Sequence, residues 1–267
     1  MQRFATGAVT DVFSPDIAVA AAKMREFGMR GAELRTVGGD HVLDANHDKV
    51  EAALKTLLAH DLEVVAIVSP LMKCPLDEFE EQSALVDRAF DIAAMTGAKI
   101  VRVFSGVRAS GLPADARAKC FERVVDLLQE LADKAARRSL IIGLENDRAC
   151  NIATAQETAG ILAAIDHTNL QVIWDPAAAY ISGEKPFPTG YQMLDVTRIA
   201  LVHAKDCTLE GHKPVWEPIG EGDIDWQGQI DALADDHYAG PIHLETYWPG
   251  AEECARNLKR LVEASAL

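Results

Sequence analysis

Basic residues are scarce: 26 Lys and Arg stand against 41 Asp and Glu, giving a formal net charge of -15 and a pI near 4.9. A protein that draws affinity from nucleic-acid phosphates needs clustered cations, so DNA and RNA are not expected partners. Cysteine is sparse and unpatterned. Cys74, Cys120, Cys150, Cys207 and Cys254 are odd in number and never spaced as C-x-x-C. That argues against a simple disulfide framework or a structural zinc ribbon and fits a reducing cytoplasm. No run of about 18 apolar residues is there to span a bilayer, and no apolar stretch follows the first residues as a secretory leader would. The expectation is a cytoplasmic protein with no membrane partner. No G-x-G-x-x-G or Walker-type loop follows an early strand, which counts against an open, doubly wound nucleotide-binding sheet. Nor does a Pro/Gly/Ser-rich linker or a charge block divide the chain, so a single domain over residues 1–267 is expected, with a homo-oligomer left open.

What the chain does have is 49% hydrophobic residues arranged in alternating periodicities. Arg3 to Val9 reads as a first strand, and Ser14-Pro15-Asp16 as an N-cap with proline at the first helical position. Strand candidates follow at Gly31 to Arg35, Leu62 to Val68 and Lys99 to Phe104. Helical spacing covers Asp48 to His60, Glu80 to Thr96 and Pro113 to Arg138. In the second half, strands ending at Glu145, Asp175, His203 and Glu245 alternate with helices Thr154 to Ile165, Trp226 to Leu233 and Glu252 to Glu263. Tyr191 to Val196 reads as looser. Eight strand-helix alternations with apolar strands indicate a parallel sheet covered on both faces and closed into a (β/α)8 TIM barrel, an α/β fold.

Four apolar runs each deliver one metal-competent side chain where the strand stops: Ile141-Ile142-Gly143-Leu144-Glu145, Val172-Ile173-Trp174-Asp175, Leu201-Val202-His203 and Ile242-His243-Leu244-Glu245. Their spacing of roughly 30 to 40 residues is about one strand-helix unit of a barrel of about 250 residues, so the four converge at its C-terminal mouth. Three carboxylates in one small cavity repel one another unless a cation compensates. Glu145, Asp175, His203 and Glu245 are therefore candidate ligands of one divalent ion. The mostly hard set suits Mn²⁺, the ion expected here, or Mg²⁺ or Co²⁺, with Zn²⁺ also admitted.

Other residues fall near the predicted rim. Lys205 shares a strand face with His203 and would stabilise an enolate or reach a substrate oxygen, the alternative being an ion pair to Glu145 or Glu245. Glu33, Arg35 and Arg102 are candidates for substrate contact, where a guanidinium suits a carboxylate or phosphate; charge balance inside the barrel is the alternative for each. Trp216, in a presumed loop, is a candidate lid residue, and Trp174, Trp248, Phe104 and Tyr180 are candidate walls for a sugar ring. His243 reads as a hydrogen-bonded histidine one layer deeper than Glu245.

These residues resemble the xylose isomerase-like barrels grouped as sugar phosphate isomerases/epimerases, together with the AP endonuclease type 2 barrels, inosose dehydratases, hydroxypyruvate isomerases and ketose 3-epimerases. The resemblance spans the chain. It rests on Gly-Leu-Glu145-Asn146, Trp174-Asp175-Pro176 with Tyr180 and Ser182-Gly183-Glu184, Val202-His203-Ala204-Lys205-Asp206, Ile219-Gly220-Glu221-Gly222-Asp223-Ile224-Asp225-Trp226 and Leu244-Glu245-Thr246. It implies a Glu-Asp-His-Glu metal set at the same four residues. Ketose epimerases carry a second histidine three residues after the aspartate; here that position is Ala178. Trinuclear zinc endonucleases need histidines where this chain has Ser69-Pro70 and Phe104-Ser105, and an Asp and a His where it has Lys213-Pro214-Val215-Trp216.

The reaction expected is isomerisation or epimerisation of a sugar or related polyhydroxy carbonyl compound. Glu145 and Glu245 would move a proton next to the carbonyl through a cis-enediolate, with Lys205 assisting. One alternative is a lyase that dehydrates a keto-sugar or inosose, or cleaves a 3-keto-glycoside; another is a barrel that binds a ligand without catalysis.

Overall fold

A computed structural model describes residues 4–109, 111 and 113–265. Eight parallel strands close into a barrel: β1 (Thr6–Val9), β2 (Gly31–Leu34), β3 (Glu63–Ile67), β4 (Ile100–Val103), β5 (Ile141–Glu145), β6 (Leu170–Trp174), β7 (Ile199–Ala204) and β8 (Ile242–Leu244). Each pairs with its sequence neighbours, and β8 closes on β1 through Thr6 with Ile242 and Ala8 with Leu244. Among the described residues, eight α-helices wrap the outside: α1 (Ile17–Glu26), α2 (His47–Ala59), α3 (Ser83–Thr96), α4 (Ala114–Ala136), α5 (Ala155–Ala164), α6 (Pro176–Ile181), α7 (Trp226–Asp235) and α8 (Ala251–Ala264). This is the TIM barrel that the alternation of strands and helices predicts. None of these helices is long and apolar enough to cross a membrane.

Strand period two divides the hydrophobic residues into two populations. Outward-facing side chains such as Val101, Leu144, Val172, Val202 and Leu244 join the helices in one large buried cluster. On α4, Val124, Leu127, Leu128, Leu131, Ala132 and Ala135 repeat at three and four residues and supply its buried stripe. A separate cluster includes Ile100, Ile173 and Leu201, with Val65 and Ile141 packed against it. These residues have the same strand parity as Arg102, Asp175, His203 and Glu145, so they form an apolar plug inside the barrel, beneath the polar mouth.

Five of these helices, α1, α2, α5, α6 and α7, start on side-chain caps. Asp16, not Ser14, caps α1: its Oδ1 accepts from the amide of Ala18 at 2.8 Å, while the Ser14 hydroxyl accepts from the Asp16 amide at 3.0 Å. Pro15 therefore precedes the helix rather than opening it. The segment from Tyr191 is ordered as short helical turns at Tyr191–Met193 and Val196–Arg198. Helix α5 opens on a reciprocal capping box between Thr154 and Glu157, and Glu184 takes the next two amides, of Ala155 at 2.6 Å and Gln156 at 3.1 Å. Thr154→Ala removes one acceptor from this end and is expected to cost about 1 kcal/mol of stability, read as a lower urea midpoint.

Candidate metal and active site

The strand ends bring polar side chains into a water-excluded layer. Glu145, at the last position of β5, and Glu245, just past β8, both face His203 near the end of β7. His203 Nδ1 lies 3.0 Å from Glu145 Oε1 and 3.2 Å from Glu245 Oε2. One ligand atom from each of the three residues fits within a sphere of mutual distances no greater than 4.8 Å, and all three are buried. Arg102, on β4, spans the two glutamates, with one guanidinium nitrogen 2.8 Å from Glu145 Oε2 and 3.3 Å from Glu245 Oε1. Its backbone and side chain are fixed by Ser69, whose hydroxyl donates to the Arg102 carbonyl and whose own carbonyl accepts from Arg102 Nε at 3.2 Å. Ser69, which follows β3 where the endonuclease pattern calls for a histidine, thus fixes Arg102 of β4.

The structure places Asp175 differently from the sequence expectation. It lies outside the three-residue group: Oδ2 takes the Lys205 ammonium at 2.6 Å, and Oδ1 caps α6 through the Ala178 amide at 3.1 Å. Lys205 also reaches Glu245 Oε2 at 2.9 Å, so of the pairs foreseen for it only the one to Glu245 forms, beside one to Asp175. Glu33 departs further. Rather than standing at the rim it is fully buried below His203, with both oxygens 3.1 Å from His203 Nε2 and Oε1 2.9 Å from His243 Nδ1. It has no surface from which to meet a substrate.

Charge sets the character of the layer. Four buried carboxylates, Glu33, Glu145, Asp175 and Glu245, face two buried cations, Arg102 and Lys205. Arg35 is half-buried and largely matched by Asp11, at 2.7 and 3.1 Å, while reaching Glu245 at 3.3 Å. With His203 neutral, the state in which an imidazole can bind a metal, two negative charges are left over, a deficit that one divalent cation would cancel; without an ion, a proton on His203 offsets one of them. The donor set fits such an ion: two carboxylates and an imidazole nitrogen converge, and the other imidazole nitrogen is held by a buried carboxylate.

The acid constants reflect the same crowding. Burial pushes the Asp175 carboxyl up to about 6, reinforced by Glu145 and Glu245 and opposed by Lys205. Burial also acts against the Glu33 anion, but the two imidazoles outweigh it and hold Glu33 at about 2. For Glu245 burial is overcome by Lys205, His203 and Arg102, so it sits well below the usual carboxylate range. Desolvation works to neutralise Lys205 and His203, yet the carboxylates around each win, and both rise well above their ordinary values. Lys205 is therefore a fixed positive charge rather than a base.

Above this layer opens a cavity of about 250 Å³ lined by Arg35, Lys73, Arg102, Lys205, Phe104 and Tyr247, among others. Lys73 pairs with Asp147 at 2.7 Å and lies 4.3 Å from the centre of the Phe104 ring. Trp216 is not in a loop. It belongs to a two-stranded ribbon, Asp206–Glu210 with Lys213–Glu217, that follows β7, and its ring packs on Tyr247 at 4.8 Å. Trp174 points away from the mouth, fully buried with its indole donating to Gln229 on α7 at 3.0 Å. Tyr180 donates to Asp223 and Trp248 to Glu253. Asp11, Lys73 and Tyr247 went unmarked in the sequence. Tyr247 had a signal, since it follows Glu245 by two residues at a strand end; Asp11, in the short helical turn Thr10–Val12, and Lys73, in a loop, had none, being residues of common type.

A closed barrel with an acid and imidazole cluster at the C-terminal mouth defines the class, and sequence comparison agrees. Residues 21–264 match the model of the xylose isomerase-like TIM barrel family, and the chain belongs to that family. A 3-dehydroshikimate dehydratase from Pseudomonas putida is 26% identical over 184 residues, which is 66% of this chain but only 28% of that protein. Among solved structures, D-allulose 3-epimerase from Methylomonas sp. superposes with a TM-score of 0.78 at 17% identity, covering 99% of this chain and 98% of that one. A xylose isomerase-like TIM barrel protein from Mycobacterium smegmatis in complex with magnesium gives 0.73 at 17% identity, covering 98% and 96%.

Proposed function

We propose that the protein is a divalent-metal-dependent isomerase or epimerase that removes and returns a proton next to the carbonyl of a sugar-like polyhydroxy substrate. The observation that carries this reading is the convergence of Glu145, His203 and Glu245 in a buried layer with more carboxylates than fixed cations. These three residues would hold the ion, with Asp175 next to them on Lys205. An ion so bound supplies Lewis acidity to a substrate carbonyl. Manganese suits two carboxylates and one imidazole, and the magnesium complex of the M. smegmatis relative supports a hard divalent ion.

The chain's own groups account for the remaining steps. Glu145 and Glu245 enter the mouth from different strands, so one carboxylate can take the proton and the other return it from a different side. Lys205 and Arg102 hold fixed positive charge beside both glutamates, where negative charge develops on the enolate oxygen. Phe104 and Tyr247 line the cavity as its aromatic walls, with Trp216 packed on Tyr247. The five cysteines are all unpaired, which supports a place in the reducing cytoplasm.

A second reading, loss of water from the same enolate, is favoured by the mouth. Arg35, Lys73 and Arg102 suit a carboxylate on the substrate, and the Tyr247 phenol lines the same cavity as a donor for a departing hydroxide. The P. putida relative is named as a dehydratase. Incubation with a panel of keto-sugars and cyclic hydroxy-keto acids in D₂O separates the two. Deuterium beside the carbonyl of a product of unchanged composition supports the first reading; a product lighter by one water supports the second. Neither change with any compound overturns both.

Dialysis against a chelator is expected to remove about one ion per chain and abolish turnover, with Mn²⁺ restoring it. Elemental analysis checks the first part, and full turnover by ion-free protein contradicts the assignment.

A further inference from the structure

Beneath the three converging donors lies a second polar layer that the reaction does not touch. His203, Glu33 and His243 are all fully buried. Glu33 lies between the two rings, 3.1 Å from His203 Nε2 and 2.9 Å from His243 Nδ1. An ionised carboxylate only accepts, so each ring must turn an N–H toward it. The other nitrogen of His243 is one of the few buried side-chain polar atoms among the described residues with no partner. It is pressed against backbone: a Cβ on Gly7 would come within 2.4 Å of it and one on Gly31 within 2.5 Å. An orphaned N–H there would bear its full desolvation cost, so a bare lone pair is the less costly state. His243 thus donates once, to Glu33, and cannot turn.

We propose that Glu33, anchored from below by His243, is a positioning residue that keeps the proton on Nε2 of His203, so that Nδ1, between Glu145 and Glu245, is the nitrogen that gives up its proton and offers its lone pair to an ion. The inference rests on the ion-binding reading above and adds the reason the imidazole presents the correct nitrogen. Two further features agree with it. Both Glu33 oxygens are at the same distance from His203 Nε2, so the contact fixes the ring plane as well as the proton. The two glycines leave the space that the His243 ring occupies, so the barrel interior is shaped around the anchor.

The test compares wild type, Glu33→Gln and His243→Phe, each stripped by chelator and titrated with Mn²⁺, with nitrogen-15 imidazole spectra recorded on the Zn²⁺-loaded forms. Glutamine offers one acceptor and one N–H₂ group, so it no longer forces both rings to donate. The dissociation constant for Mn²⁺ is expected to rise about 10- to 100-fold in Glu33→Gln, and less in His243→Phe, which keeps the ring volume but releases Glu33. The wild-type spectrum is expected to show His203 protonated at Nε2 and bound through Nδ1, and Glu33→Gln to lose that single form. If wild type takes up no Mn²⁺, the ion-binding reading falls and this inference with it. If wild type binds and Glu33→Gln binds equally well, the positioning role alone is overturned, even where the ion-free variant melts at a lower temperature. Should Glu33→Gln not fold, Glu33→Asp, which keeps the charge but shortens the reach, is titrated instead: a raised Mn²⁺ dissociation constant supports the role and an unchanged one overturns it.

Discussion

Glu245→Gln is expected to slow proton exchange next to the substrate carbonyl by about 10²- to 10⁴-fold, the span usual for a lost general acid or base. Glutamine keeps the shape, so the barrel should persist, but it removes the charge on which four groups converge. Lys205 reaches Glu245 at 2.9 Å, His203 at 3.2 Å, and Arg35 and Arg102 each at 3.3 Å. With that anion gone, three fixed cations border the mouth with one carboxylate fewer. Ion affinity should therefore fall together with the rate. Measuring both separates the functions: a variant that keeps its ion but loses exchange identifies Glu245 as the proton carrier, and one that keeps its exchange rate removes Glu245 from the reaction.

Gly7→Ala is expected to destabilise the fold by about 3 kcal/mol or more, beyond the usual range for overpacking. The added methyl would lie 2.1 Å from the Gly31 carbonyl oxygen and 2.4 Å from His243 Nε2. The carbonyl belongs to the neighbouring barrel strand and cannot yield without breaking pairing, and the imidazole is locked by Glu33. Gly160→Ala provides the contrast. That glycine lies in α5 with nothing within 4 Å of the new methyl, and alanine there should add up to about 1 kcal/mol through helix propensity. The same chemical change thus has opposite signs at two sites, read from urea midpoints with unchanged slopes. A Gly7→Ala protein as stable as wild type would show that the interior of the barrel is looser than these distances state.

Several features of the site were legible from strand parity alone. Glu145, His203 and Glu245 end three apolar runs on the inward face, and each does point into the mouth. His243 lies one layer below Glu245, as its offset of two residues implies. The partners of these groups were not legible. Glu33 and Arg35 share a parity, yet one is bonded beneath His203 and the other reaches Asp11 and Glu245 at the rim, since a register shift at Ala32/Glu33 and the tilt of the strands set their heights. Asp175 ends its strand like the others but sits on Lys205, because its second oxygen is used to start α6.

The chain by itself determined the eight-fold alternation, the inward or outward face of each strand residue, and the identity of the acids and imidazole at the mouth, since these follow from periods of 2 and 3.6 residues along one segment at a time. Tertiary structure alone decided which of those groups meet, which cation neutralises which carboxylate, that Glu33 supports a histidine rather than a substrate, and that Trp216 and Tyr247 form one wall. Those are contacts between segments far apart in sequence, and barrel closure with its stagger sets them to within an ångström, a distance no local pattern encodes.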